Sequence, residues 1–151
     1  MRTKAQSRPK KIKTPYEIYC NVLRAWAAEA PADMRDEPAR EKILDAMLRL
    51  FERLEASGLR PALAAQPVNW ATIKKYHGPL LHALCWQCLV LNITMPKSMA
   101  PFVPHLLSLV VLRWIPIWLR DNTPGQARLM AVIDRDLGCI HAAAQQIGFS
   151  S

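Results

Sequence analysis

The stretch Asp36-Glu37-Pro38-Ala39-Arg40-Glu41-Lys42-Ile43-Leu44-Asp45-Ala46-Met47-Leu48-Arg49-Leu50-Phe51-Glu52-Arg53-Leu54 decides the fold. Ile43, Leu44, Met47, Leu48, Phe51 and Leu54 recur at the three- and four-residue spacing that puts side chains on one face of a helix. Arg40, Glu41, Asp45, Arg49, Glu52, Arg53 and Glu55 take the opposite face. Pro38 suits a first helical turn, and Asp36 and Glu37 suit the positive end of the helix dipole. Gly58 is the expected left-handed stop. The segment is thus an amphipathic helix that needs an apolar partner.

Both flanks read the same way. Upstream, Thr14-Pro15-Tyr16-Glu17 is a capping box with proline at the first helical position. Tyr16, Tyr19, Val22, Leu23 and Trp26 follow as one stripe, and the helix ends near Ala30-Pro31. Downstream, Pro61 and Pro67 allow only a short helix between Leu59 and Asn69. Trp70 to His77 reads as one or two turns closed by Gly78. Pro79 then opens a separate helix, Leu80 to Leu91. A loop from Asn92 to Pro101 leads to a long apolar helix, Phe102 to Arg120. Thr123-Pro124-Gly125-Gln126 reads as a second capping box. It starts a last helix carrying Leu129, Met130, Val132, Ile133 and Leu137, broken at Gly138 and continued by Ile140 to Ile147. No period-two alternation, repeat or low-complexity tract is present, so the predicted class is all-α.

The chain has 151 residues, 51% hydrophobic and 21% charged, which is enough for one globular domain. Its five glycines and twelve prolines favour helices punctuated at their ends. The net charge is +8. Six of those charges lie on Arg2, Lys4, Arg8, Lys10, Lys11 and Lys13, in a segment without an acid. Residues 1–13 are therefore expected to be a solvated, disordered arm, and residues 14–148 the domain. The arm suits weak, sequence-independent contact with nucleic-acid phosphates or anionic lipid. No apolar run follows the basic start, as a secretory signal requires. The four cysteines Cys20, Cys85, Cys88 and Cys139 are too few for a disulfide scaffold, so the expected compartment is the reducing cytoplasm. Phe102 to Leu119 is apolar enough to suggest a membrane span. Pro104, His105, Arg113 and Pro116 interrupt it, and a central cation costs roughly 2.5–3.5 kcal/mol on insertion, so a core helix is the better reading.

No nucleophile–base order, paired-carboxylate motif, phosphate loop or zinc-protease motif occurs, so no catalytic residue is assigned and the chain is read as non-enzymatic. No cofactor is assigned either. His82, Cys85 and Cys88, at i, i+3 and i+6, invite a metal or redox reading. His82 and Cys88 diverge around the helix, and core packing explains the cysteines better. The aromatic and methionine residues admit two readings, ordinary core or the wall of an apolar pocket. The pocket candidates are Trp86, Leu89, Met95, Arg113 and Trp114. Pro116 favours a pocket by kinking the helix beside them. Arg113 either pairs with Asp134 or Asp136 or meets a ligand carboxylate. The apolar surplus on the last two helices points to a homodimer through Leu106, Leu109, Val110, Ile117, Met130, Ile133 and Leu137.

The run Asp36 to Leu54 resembles the helix that follows the DNA-binding region in a subgroup of TetR-type transcriptional regulators. Trp118-Leu119-Arg120-Asp121-Asn122-Thr123-Pro124, then Met130, then Ile133-Asp134-Arg135-Asp136-Leu137, resembles that subgroup's closing signature. The same ending is similar to TetR-like lipid-binding accessory proteins of coenzyme Q (ubiquinone) biosynthesis. The resemblance covers about Thr14 to Leu137. It implies a TetR C-terminal-domain-like helical bundle that binds a small apolar or lipid-like ligand and dimerises through its last two helices. Only Met1 to Lys13 precede the first helix, so the DNA-reading helix-turn-helix is expected to be missing. Two further roles follow from the resemblance: a lipid- or quinone-binding accessory protein, or a subunit that pairs with a full-length TetR-type regulator.

Overall fold

In a computed structural model, which describes residues 11–94 and 97–146, the Thr14 hydroxyl accepts the Glu17 N–H at 3.2 Å. The Glu17 carboxylate in turn accepts the Thr14 N–H at 2.8 Å. This capping box starts α1 (Pro15–Ala27). A 3₁₀ turn (Ala32–Met34) follows, then α2 (Ala39–Ala56), whose end is marked by Gly58 at φ +73°. The remaining helices are α3 (Arg60–Ala64), α4 (Trp70–Val90), α5 (Val103–Arg120) and α6 (Ala127–Gln146). Among the described residues there is no strand, so the fold is all-α. The basic arm lies outside the described residues except for Lys11, Ile12 and Lys13, which are exposed without regular structure.

The long helices pair as α1 with α2 and α4, α4 with α5, α5 with α6, and α6 with α2. These pairings close on themselves, and α3 rests on α5. The core holds Trp26, Leu50, Phe51, Trp114, Trp118 and Ile133, all essentially inaccessible to solvent. Each buried indole N–H has an acceptor, as burial requires. Trp26 donates to the Ala46 carbonyl at 2.7 Å, Trp114 to Asp136 at 3.0 Å and Trp118 to Glu55 at 2.9 Å.

Three local expectations are corrected. Trp70 to Val90 is one helix that runs through Gly78 and Pro79. Pro79 lacks the N–H that would bond the Lys75 carbonyl, an interior defect of about 3 kcal/mol. Tyr76, Leu80, Ala83, Leu84, Gln87 and Cys88 nevertheless form one uninterrupted buried face, and its burial outweighs the defect. The Tyr19 hydroxyl also donates to the Tyr76 carbonyl at 3.1 Å in the same turn. Gly138 likewise does not break α6, because Leu129, Ile133 and Leu137 hold a single stripe against the core. The second capping box does not form. Gly125 and Gln126 both adopt positive φ, and Asp121 caps α6 from further upstream. Its buried carboxylate accepts the Thr123 hydroxyl at 2.5 Å, the Thr123 N–H at 2.9 Å and the Leu129 N–H at 2.8 Å.

Among the described residues, Val103–Arg120 is the one helix long and apolar enough to cross a membrane by length and composition. One of its faces packs in the core through Leu107, Val111, Trp114 and Trp118. Its outer face carries Phe102, Leu106 and Leu109, then Arg113, Pro116 and Arg120.

Candidate functional site: an apolar groove

The first turns of α2, the N-terminal half of α5 and the C-terminal half of α6 do not meet tightly. They leave a groove of about 350 Å³, floored by the connection between α4 and α5. Ile43 enters it from α2, Val103, Leu106 and Leu107 from α5, and Leu137 and Ile140 from α6. Ala143 and Ala144 widen it because they have no side chain beyond Cβ. The volume lies within the roughly 300–1,000 Å³ typical of small-ligand sites. A wall of branched aliphatics offers dispersion contact and excludes water, and has no preference for a polar solute.

The polar residues among those lining it are Arg40, Thr94 and His141. Arg40 is held by Asp134 of α6 at 2.6 Å and by its neighbour Glu41 at 2.5 Å. A Cβ added at Gly138 would lie 3.9 Å from the Arg40 guanidinium, in ordinary contact. Glu41 and then Asp134 raise the arginine's already high pKa. Guanidinium has five donors in a planar fork, so these two pairings leave others to meet a carboxylate, phosphate or carbonyl at the groove mouth.

The pocket candidates from the sequence do not converge. Trp114 is fully buried and belongs to the core, its N–H committed to Asp136. Arg113 is largely exposed on the outside of α5, 3.6 Å from Asp136, so of its two possible acidic partners it approaches Asp136. Leu89 is exposed on the outer face of α4. Trp86 is half-exposed and lines a different hollow between α1 and α4, with Cys20, Arg24, Pro79 and His82. Met95 lies outside the described residues. The residues that do form the groove were legible as apolar, but nothing in their spacing separates a groove wall from a core.

The dimer candidates also divide. Ile133 and Leu137 are core residues of the single chain, and Leu137 reaches the groove. Val110 and Ile117 are half-buried. Met130 lies in a hollow beside Leu48 and Phe51 of α2. Leu106, Leu109 and Met130 remain part-exposed at 45%, 62% and 44%, and Leu106 also borders the groove.

The hollow between the end of α2 and the start of α6 is larger, about 590 Å³, and its one cation, Arg60, is already engaged. Arg60 pairs with Glu55 at 2.8 Å, donates to the Asp121 carbonyl at 2.7 Å and lies over the Trp118 ring. In the His82, Cys85 and Cys88 series, Cys88 is buried as core packing requires, and burial pushes its thiol up to about 11, but Cys85 is exposed, so core packing does not account for it; His82 is exposed as well. Among the described residues no three His, Cys, Asp or Glu side chains gather as metal ligands do.

No protein-family model, curated protein or solved structure matches the chain.

Proposed function

We propose that this chain is a non-enzymatic helical binding domain that holds a small apolar or lipid-like ligand in the groove between α2, α5 and α6. The observation that carries the reading is the aliphatic wall of Ile43, Val103, Leu107 and Ile140 with Arg40 among the lining residues. Such a site favours an amphiphile with a short apolar body and one acceptor-bearing end. This agrees with the ligand-binding half of the TetR-type regulators that the sequence resembles. Calorimetric titration with octanoate, a short fatty acid with one carboxylate, tests it. Saturable binding is expected in the unaltered protein. Val103→Trp, which fills the groove from a half-buried position, should abolish it while leaving the melting temperature within a few degrees. Equal binding by that variant, or no binding by the parent, overturns the proposal.

A second reading, a homodimer, is supported by the outer stripe of α5, where Phe102 and Leu109 are each 62% exposed. Isolated chains rarely leave adjacent large apolar side chains uncovered.

A further inference from the structure

From Ser57 to Arg120 the chain contains no aspartate or glutamate, although Arg60, Lys74, Lys75, Lys97, Arg113 and Arg120 fall in that span. All of α4 and α5 is therefore free of negative side chains. The consequence is concentrated at one end of the molecule. α1 and α4 run parallel: Tyr16 stacks edge-on against Tyr76 at 5.6 Å near their starts, and Gln87 donates to the Glu29 carbonyl at 2.9 Å near their ends. Both helices thus begin at the same end.

That end combines cations with bare apolar tips. Val68 is 93% exposed, Ile12 91% and Trp70 69%. Lys74 lies over the Trp70 ring at 5.6 Å, and Lys75 over the Tyr16 ring at 4.8 Å. Lys11, Lys13 and Arg24 share a shallow pocket with Tyr16. Glu17 also lies there, its carboxylate engaged by the Thr14 N–H.

We infer that this end docks on an anionic lipid bilayer, with Trp70, Val68 and Ile12 entering the headgroup region and the lysines meeting lipid phosphates and carboxylates. Tryptophan favours that interface because its ring is apolar and its N–H is polar. Lysines near an anionic surface each contribute attraction that salt screens. A nucleic acid would engage the same lysines and could stack on Trp70. It offers nothing to Val68 and Ile12, whose aliphatic tips gain only from leaving water.

The test is co-sedimentation of the full chain with vesicles of phosphatidylcholine mixed with phosphatidylserine, against phosphatidylcholine alone. Binding should appear with the anionic vesicles and fall with added salt. Lys74→Ala with Lys75→Ala should weaken it roughly 25-fold, at about fivefold per lysine. Val68→Ser with Trp70→Ser should weaken it at least about tenfold. All four side chains are exposed, so the thermal melt should be unchanged in both variants. Undiminished binding by the lysine variant assigns the attachment to the upstream basic segment and overturns the inference. So does binding to single-stranded DNA that the lysine variant weakens, with no preference for anionic vesicles.

Discussion

The Trp114 indole nitrogen lies 3.0 Å from an Asp136 carboxylate oxygen, joining α5 to α6 inside a largely apolar interface. Burial alone would raise the pKa of Asp136. The bonds from Trp114 and Arg135, with the charges of Arg113 and Arg135, outweigh it and hold the group below the usual range.

Replacing Asp136 with leucine leaves the Trp114 N–H without its acceptor, at a cost of about 1–3 kcal/mol. Asp136→Asn keeps an acceptor and should cost less. Because folding lowers the pKa, ionised Asp136 adds stability above its unfolded value of about 3.9, and that contribution is lost as pH falls through the lower folded value. Urea midpoints should therefore separate parent from Asp136→Asn near neutral pH and converge in acid. A gap that widens in acid would contradict the assignment.

Asp121 should behave as the cap of α6. Asp121→Ala removes acceptors from the Thr123 and Leu129 N–H groups and should cost about 1–2 kcal/mol. Hydrogen exchange should quicken first at Leu129. If Thr123→Ala is the more damaging change, the hydroxyl is the main cap after all.

Pro79→Ala should stabilise the protein. It restores the N–H facing the Lys75 carbonyl inside α4, and the extra freedom of the unfolded chain offsets only part of a gain of about 2 kcal/mol. A lower melting temperature would show that the α1–α4 hollow needs the proline ring.

Leu109→Glu and Ile133→Arg should part company. Leu109 is exposed on the outside of α5, so a charge there should leave the fold intact and turn a dimer into a monomer. Ile133 is fully buried, and an unpaired cation there should unfold the chain. Sedimentation velocity with circular dichroism checks both. A monomeric parent removes the dimer reading and leaves the Ile133 expectation standing.

The helices were legible because their apolar stripes are long. The run from Ile43 to Leu54 and the Thr14 box needed no tertiary information. The break at Gly78-Pro79 was misread because local propensity was weighed above a stripe that continues through it, Tyr76 to Leu80 to Leu84. The cap of α6 was misplaced because Thr123 and Gln126 have the right spacing, while the positive φ at Gly125 and Gln126 depends on where Asp121 is anchored. The groove was hidden for a different reason. Whether Ile140 meets a neighbour or a gap depends on how far α2 and α6 splay, and no residue spacing encodes that distance.

Arg40 and Asp134 are 94 positions apart in the chain. On a ribosome, α2 is made long before the helix that completes its surroundings. α1, α2 and α4 can associate early, but the contact between α6 and α2 that closes the circuit of helices comes last. The groove is walled by the first turns of α2 and the far half of α6, so it forms only once those two helices have met. A ligand held there would be gained only after α6 has docked on α2, and its retention would report that closure.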